Sequence, residues 1–269
     1  MTALADREWR VIPEEARPGA VQMALEEVAA ETARAGGPRT VRVYRWEPSA
    51  LSLGYGQPAD SVDWAYCDAA GIDVTRRQTG GGGIYHDRTG DISYSIVAPA
   101  AELPGNLMDC YELLCEPILD AFERMGVDAA FADREYPELH HPACYLRGID
   151  PAHDILASGG KISGNAQYRQ RDAVIQHGSL TYARETDRHL GCFVADLDPE
   201  AFDDRVTSIR AESGVDRAEA VDALEASLAE WADAAPGAWT DAELERAREL
   251  AGTKYDADAW VRDRTDPTD

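Results

Sequence analysis

Apolar residues recur every three or four positions in four parts of the chain, with charged residues between them. This spacing places apolar side chains on one face of a helix and leaves the charged ones for solvent. In the first of these segments Val21, Leu25 and Val28 share a face, while Glu26 and Glu27 lie away from it. Helices are therefore predicted over residues 18–35, 107–125, 218–234 and 240–250.

Other segments alternate apolar and polar residues, the period of two that is typical of strands, and glycine or proline separates them. Prolines also favour a loop over residues 132–153. The pattern predicts a mixed α/β catalytic domain over residues 1–203 and a small acidic helical C-terminal region over residues 204–269. Strands are predicted at residues 40–44, 50–53, 91–97, 155–156, 161–162 and 173–175.

The composition is that of a folded chain of 269 residues, of which 44% are hydrophobic. No apolar stretch approaches the roughly 18 residues that a membrane helix needs, and the N-terminus has no apolar signal core. We therefore expect a cytoplasmic protein without a membrane partner. The net charge of −24 repels nucleic acid phosphates, so no nucleic acid partner is expected.

Lysine is rare, because only Lys161 and Lys254 are found among 26 basic residues. Arginine serves wherever a positive charge alone is needed, so a retained lysine suggests a site that requires a compact ammonium group. The acidic, lysine-poor surface resembles that of proteins from a high-salt, or halophilic, cytoplasm, where counterions screen the repulsion.

Four consecutive glycines, Gly80 to Gly83, follow two arginines and precede a His-Asp pair. Glycine lets backbone N–H groups approach a ligand closely, and Arg76 and Arg77 can neutralise a phosphate or carboxylate. The segment therefore indicates an anion or nucleotide cradle, although a flexible hairpin with solvated arginines is the plain alternative. It matches neither a Walker A loop nor a dinucleotide fingerprint.

Three further segments carry candidate chemistry. Lys161 lies between glycines, where its ammonium could stabilise negative charge on an acyl carbonyl or acyl phosphate. The alternative is a hairpin turn with an exposed lysine. Cys144 is a nucleophile only if a base lies nearby, and is otherwise an inert thiol. His177 could contact a ligand or be structural. No metal site is predicted, because His140, His141 and Cys144 lack zinc-site spacing.

Taken together, these segments resemble the lipoate–protein ligase A family and the related cysteine-dependent octanoyltransferases, within the biotin/lipoate A/B protein ligase superfamily. The resemblance extends over most of the chain, and the arginine–glycine and lysine segments are its most specific parts. It implies mixed sheets around an acyl-binding tunnel. It also implies acyl transfer to one lysine of an apo lipoyl domain, as in the 2-oxoacid dehydrogenase E2 subunit or the glycine cleavage H protein.

The resemblance also assigns roles to residues. Lys161 matches the essential family lysine, which holds carbonyl and phosphate oxygens, and Cys144 matches the nucleophile of the cysteine-dependent transferases, 17 residues before that lysine. The remaining residues implied to bind substrate are Arg76, Arg77, Thr79, Gly80, Gly81, Gly82, Gly83, His86, Ser163, Gly164, Asn165 and His177.

Two subclasses stay open. Four glycines and the Ser163–Ala166 segment favour a ligase that activates lipoate or octanoate with ATP and Mg²⁺, which is our main expectation. The alternative is an octanoyltransferase that takes octanoyl from acyl carrier protein through a Cys144 thioester and needs no cofactor. A short ligase could require an accessory ligase domain as partner. A biotin ligase lacks support because no basic adenylate loop is present, and Lys161 argues against a non-catalytic acyl-binding relative.

Overall fold

The fold is known from a computed structural model that describes residues 7–151, 153–170 and 172–268. The strands are β1 (Trp9–Arg17), β2 (Arg39–Trp46), β3 (Ala50–Leu53), β4 (Asp73–Arg76), β5 (Ile84–His86), β6 (Asp91–Pro99), β7 (Ala129–Phe131), β8 (Asp154–Ala157), β9 (Gly160–Gln170), β10 (Ala173–Thr181) and β11 (Ala235–Pro236). The α-helices are α1 (Gly19–Arg34), α2 (Trp64–Ala69), α3 (Leu107–Arg124), α4 (Thr186–Gly191), α5 (Pro199–Arg205), α6 (Ile209–Glu212), α7 (Arg217–Ala232), α8 (Asp241–Leu250) and α9 (Asp258–Val261).

Two sheets organise these elements. The large sheet has the order β11-β1-β2-β6-β10-β9-β8-β7, and the small sheet has the order β4-β3-β5. Both are mixed, because β1 pairs in parallel with β2 and β11, and β3 with β4, while the other pairs are antiparallel. The predicted mixed α/β architecture is confirmed.

Each face of the large sheet is covered by helices. Leu114 and Ile118 of α3 and Leu224 of α7 pack on one face, against apolar residues of β2 and β6. On the other face, Leu25 of α1 and Leu250 of α8 pack with the aromatic end of β2. A third apolar cluster joins the small sheet to α4 and α5. These three clusters fix the positions of the large and small sheets relative to the helices.

Sequence patterns located most of the long elements. The helices α1, α3, α7 and α8 agree with prediction to within two residues at each end, and β3 agrees at both ends. Asn106 begins α3 by accepting a hydrogen bond from the Met108 N–H at 2.8 Å, and capping boxes begin α7 and α8. Polar N-caps therefore fix the starts of α3, α7 and α8, which periodicity alone leaves open.

The prediction was wrong about the length of β9 and β10, and it missed β1. We predicted two- and three-residue strands where β9 has 11 residues and β10 has nine. The segment Ser163–Gln167 is polar and contains glycine, so its intrinsic strand propensity is low. Pairing of β9 with β10 along eight residue pairs supplies the stability that propensity does not.

The helices after residue 204 pack on the sheet that the preceding residues form. Helix α7 packs against α3, β1 and β2, and β11 adds an edge strand to β1. The predicted boundary at residue 204 stays a prediction. Within the described residues, no helix has the length and apolar character that crossing a bilayer requires.

Lys254, the second retained lysine, ties the C-terminal segment to α1. Its buried Nζ lies 2.7 Å from Glu27 Oε1 and 2.6 Å from Asp266 Oδ2, and it lies over the ring of Trp260. Removing one member of a buried ion pair leaves the other charge uncompensated. Its role is therefore expected to be structural.

We expect Lys254→Met to lower the free energy of unfolding by about 3 kcal/mol, because it leaves the buried Glu27 carboxylate without its ammonium partner. Arg246→Met is the matched control, since Arg246 forms an exposed pair with Glu31 at 3.3 Å and should cost less than about 1 kcal/mol. Urea denaturation of both variants measures the difference. Equal losses in the two variants would contradict this role for Lys254.

Candidate active site

A cavity of about 360 Å³ lies between the large sheet, the small sheet and the loop that precedes β8. This volume is in the range of ordinary small-molecule sites. Its apolar wall comes from Met23, Tyr44, Trp46, Ile84 and Tyr111. The residues predicted for the site that line it are Arg77, Gly80, Gly81, His86, Cys144, Lys161, Gly164, Asn165 and His177.

Lys161 is a buried cation in the wall of this cavity. Its side chain is 3% exposed, and its Nζ lies 2.7 Å from Asp154 Oδ1 on the neighbouring strand β8. Burial disfavours the ammonium form, but attraction to Asp154 and Cys144 outweighs it, so the pKa of Lys161 is raised. Lys161 is therefore a permanent positive charge, as stabilisation of an oxyanion requires.

Asp154 is a site residue that sequence reasoning missed. Burial alone would raise its pKa, but the charge of Lys161 holds that pKa well below its usual value. The side chain also accepts a hydrogen bond from the Asp150 N–H at 2.9 Å, which fixes the loop before β8. One signal was available, because a lysine placed in a buried strand needs a carboxylate on an adjacent strand.

Cys144 opens a short 3₁₀ turn, Cys144–Leu146, and it is half-buried while the other four cysteines are buried. Its N–H donates to the Gly83 carbonyl at 2.7 Å, and the Gly83 N–H donates to the Pro142 carbonyl at 2.5 Å. This short parallel bridge joins the cysteine segment to the glycine loop. Cys144 thus has the accessibility that a nucleophile needs, at a fixed place in the cavity wall.

The glycine loop can approach Cys144 closely because glycine has no side chain. Gly81 has φ +102°, which favours glycine. A Cβ on Gly82 would lie 2.9 Å from the Cys144 nitrogen and 2.8 Å from Cδ of Arg147. Any larger residue at position 82 would therefore push the loop away from Cys144. Gly82 and Gly83 shape the site from behind the described cavity lining rather than within it.

Arg77 holds the glycine loop in this shape. Its Nη2 donates to the carbonyls of Gly80 at 2.9 Å and Gly82 at 2.7 Å, and its Nε donates to Thr79 Oγ1 at 3.0 Å. Burial lowers the pKa of Arg77, although attraction to Cys144 opposes this. The hydrogen bonds of the guanidinium all go to neutral groups, so Arg77 brings a positive charge to the cavity wall.

Arg76, predicted to bind substrate, is not brought to the cavity. Its guanidinium is fully buried and donates to the carbonyls of Gly54 at 2.6 Å and Gln57 at 2.8 Å. It also donates to the carbonyl of Val261 at 2.7 Å, and the Trp260 indole donates back to the Arg76 carbonyl. Arg76 thus joins the small sheet to α9, and of the two arginines only Arg77 lies at the cavity.

Two histidines of the cavity are each held at both ring nitrogens. His177 Nδ1 lies 2.9 Å from Glu26 Oε2, and its Nε2 lies 2.8 Å from Thr79 Oγ1. His86 Nδ1 lies 3.2 Å from Asp91 Oδ2, and its Nε2 lies 2.9 Å from Ser52 Oγ. Burial lowers the pKa of His86 despite Asp91. The arrangement favours positioning over free proton exchange for both rings.

The residues after Lys161 in β9 differ in their relation to the cavity. Gly164 and Asn165 line the cavity, whereas the Ser163 hydroxyl is buried away from it and has no hydrogen-bond partner among the described residues. Asn165 Oδ1 accepts from the Tyr94 hydroxyl at 2.6 Å, and its Nδ2 donates to the His153 carbonyl at 2.8 Å. Asn165 thereby fixes the position of His153 at the cavity wall.

Arg147 is a further cavity residue that sequence reasoning missed. Its side chain packs beside Gly81 and Gly82, and its buried Nε has no acceptor among the described residues. The position carried no signal, because an arginine in a loop is usually solvated. Among the described residues, no three His, Cys, Asp or Glu side chains come together as a metal site, and His141 is 60% exposed.

Comparison with known proteins identifies the family of this chain. The family described as "Lipoyl protein ligase A/B catalytic domain" matches residues 18–229, most of the chain. The chain belongs to the lipoyl protein ligase A/B family. The resemblance noted from sequence is thus confirmed, and the chain is an enzyme of a family of lipoate ligases and octanoyltransferases.

Relatives of this family member cover nearly its whole length. It is 31% identical to the octanoyltransferase LipM of Kyrpidia tusciae, over 94% of this chain and 97% of the relative. It is 32% identical to that of Symbiobacterium thermophilum, with the same coverage. Among solved structures, a lipoate-protein ligase A bound with ATP has a TM-score of 0.79 at 24% identity, over 95% of this chain and 98% of that one.

A bipartite lipoate protein ligase from Thermoplasma acidophilum, solved with its E2 lipoyl domain, has a TM-score of 0.77 at 22% identity. It covers 95% of this chain and 96% of its own. At such identities these two structures show that the lipoyl protein ligase A/B fold is shared, and they carry no more than that.

Proposed function

We propose that this protein is an octanoyltransferase that moves an octanoyl group from acyl carrier protein to a lysine of an apo lipoyl domain. The group passes through a thioester on Cys144. The observation that carries the proposal is the half-buried Cys144, fixed beside the glycine loop in the same cavity as Lys161. Two relatives that are at least 30% identical over nearly the full chain have octanoyltransferase in their names, which supports the same activity.

The first half-reaction uses the cavity cations. Cys144 Sγ attacks the carbonyl carbon of the octanoyl thioester, with the cations Arg77 and Lys161 in the lining of the same cavity. The Lys161 ammonium then stabilises the oxyanion of the tetrahedral intermediate. The carbonyl carbon–sulfur bond to the donor breaks, and the proton lost by Cys144 goes to the departing thiolate. The products are octanoyl-Cys144 and the free donor thiol.

In the second half-reaction the Cys144 sulfur is the leaving group, whereas in the first it is the nucleophile. The acceptor lysine amine attacks octanoyl-Cys144, a carbon–nitrogen bond forms, and the carbon–sulfur bond breaks. Lys161 again stabilises the oxyanion, and the Cys144 thiol is regenerated. We propose that the apolar wall formed by Met23, Trp46 and Ile84 holds the octanoyl chain while the acceptor amine replaces the Cys144 sulfur on the carbonyl carbon.

An ATP-dependent lipoate ligase is the second candidate, because the four-glycine loop and Ser163–Ala166 are ligase-like. That reaction would use Mg²⁺ with ATP, and Mg²⁺ commonly takes one or two carboxylates besides phosphate. Of the carboxylates in the described cavity lining, Asp154 is ion-paired with Lys161, and Asp150 lies near His153. Because both carboxylates already face a basic side chain, the cavity gives better support to a route without a metal-bound nucleotide.

The two candidates differ in what they require. We expect an apo lipoyl domain to gain an octanoyl mass when incubated with the enzyme and octanoyl-acyl carrier protein, without ATP. A parallel reaction receives lipoate, ATP and Mg²⁺ instead, and both contain molar KCl because of the acidic surface. Intact mass spectrometry of the lipoyl domain provides the readout. Modification confined to the ATP reaction would replace the transferase by the ligase.

A further inference from the structure

The second half-reaction has a proton to remove that the groups named so far cannot accept. A lysine side chain has an ordinary pKa of about 10.4, so the acceptor arrives as an ammonium group without a lone pair for attack. A general base at the site of attack contributes about 10²- to 10⁴-fold in such reactions. The cavity should therefore present a group that can accept a proton near neutral pH.

Most titratable groups of the cavity are unsuited to this. His86 and His177 are buried, with both ring nitrogens bonded to side chains. The Asp154 carboxylate is paired with Lys161, whose charge holds the pKa of Asp154 far too low for a base. Lys161 itself is protonated because its pKa is raised.

His153 differs from the other two imidazoles of the described cavity lining. Its side chain is 33% exposed, so an incoming acceptor can reach the ring. Its Nδ1 lies 3.5 Å from Asp154 Oδ1, and its Nε2 lies 3.9 Å from Asp150 Oδ2. The two carboxylates flank both ring nitrogens and can orient the ring, as a general base requires.

Contacts of both its backbone and its ring fix the position of His153. Its backbone carbonyl accepts a hydrogen bond from Asn165 Nδ2 at 2.8 Å, which ties the loop to β9. Tyr111 packs against the ring with 5.5 Å between centroids. Asp154 is shared, because one of its oxygens contacts both Lys161 and His153. The oxyanion-stabilising charge and the imidazole are thus held by one carboxylate.

We propose that His153 is a catalytic residue, the base that deprotonates the acceptor lysine during transfer from octanoyl-Cys144. The inference rests on the proposed function. One proton passes from the acceptor ammonium to His153 Nε2, and the amine then attacks the thioester carbonyl. The second nitrogen proton goes to the departing Cys144 sulfur, and His153 releases its proton to solvent. Overall the thioester and ammonium become an amide, a thiol and one free proton.

The test separates the two half-reactions in a His153→Gln variant. Octanoyl-enzyme formation should stay within about 2-fold of the parent protein. Transfer to the lipoyl domain at pH 7 should fall at least 100-fold and recover as pH rises, because more of the acceptor lysine is then uncharged. His141→Gln is the matched control, since His141 lies on the same loop but is exposed outside the cavity.

A second acceptor distinguishes a base from a structural residue. Hydroxylamine is uncharged at neutral pH and needs no base, so it should discharge the octanoyl-enzyme of His153→Gln as fast as that of the parent. Equal loss with both acceptors, or lipoyl transfer at the parent rate, would overturn the role. If the parent forms no octanoyl-Cys144, the proposed function fails, and the same acceptor comparison is then made with octanoyl-AMP as donor, which still decides the role of His153.

Discussion

Octanoyl transfer is expected to fall at least about 100-fold when Lys161 is replaced by glutamine, because removing one oxyanion-stabilising donor typically costs 10²- to 10³-fold. The loss should be in the rate constant more than in the apparent affinity for donor, since the ammonium acts on charge that develops during reaction. Single-turnover formation of the octanoyl-enzyme is the measurement. Lys161→Arg should not restore it, because the planar guanidinium does not fit a site built for a compact ammonium.

A folding defect must be separated from this loss. Lys161→Gln removes the ammonium partner of the buried Asp154 carboxylate, which costs about 3–5 kcal/mol of unfolding free energy. The double variant Lys161→Gln with Asp154→Asn removes both charges and should regain most of that stability without regaining activity. If the double variant were folded and as active as the parent, Lys161 would have no catalytic role.

The replacement of Cys144 by serine is expected to abolish octanoyl-enzyme formation and to reduce turnover at least about 1000-fold. The serine hydroxyl is far less nucleophilic than a thiol, because it does not ionise appreciably near neutral pH. Initial rates of lipoyl-domain modification measure the change. The effect should persist at every donor concentration, because the variant lacks the covalent route itself.

Cys67→Ala is the matched control for this variant. Cys67 is buried in α2 within the apolar cluster of the small sheet, away from the described cavity lining. It should retain the parent rate, apart from a modest loss of stability from the shortened side chain. Parent-like turnover by Cys144→Ser, with Cys67→Ala unchanged, would show that the acyl group reaches the acceptor without a Cys144 thioester.

How far the site could be predicted depends on how local each interaction is. The glycine loop, Lys161 and Cys144 can be recognised from sequence, because glycine runs, scarce lysines and short motifs are visible within a few residues. The partners of these groups are not. Glu26 reaches His177 across 151 residues of chain, through a contact that only the stacking of α1 on the large sheet creates.

The two adjacent arginines show the same limit. At the end of β4, Arg76 points toward the C-terminal segment, and Arg77 points toward the cavity, as successive residues of an extended chain do. Their order along the sequence does not reveal which side faces the ligand. The strand β3 was predictable because it is short and apolar, whereas β9 depends on its neighbours. The high-salt adaptation inferred from composition stays a prediction.

The most direct test of the account is the mass of the enzyme itself after brief mixing with octanoyl-acyl carrier protein in the absence of an acceptor. We predict a gain of one octanoyl group, mapped to Cys144 by peptide digestion, absent in Cys144→Ser and discharged when apo lipoyl domain is added. An unmodified enzyme that nevertheless modifies the lipoyl domain, with ATP required and AMP released, would contradict the thioester route and establish ligase chemistry in this cavity.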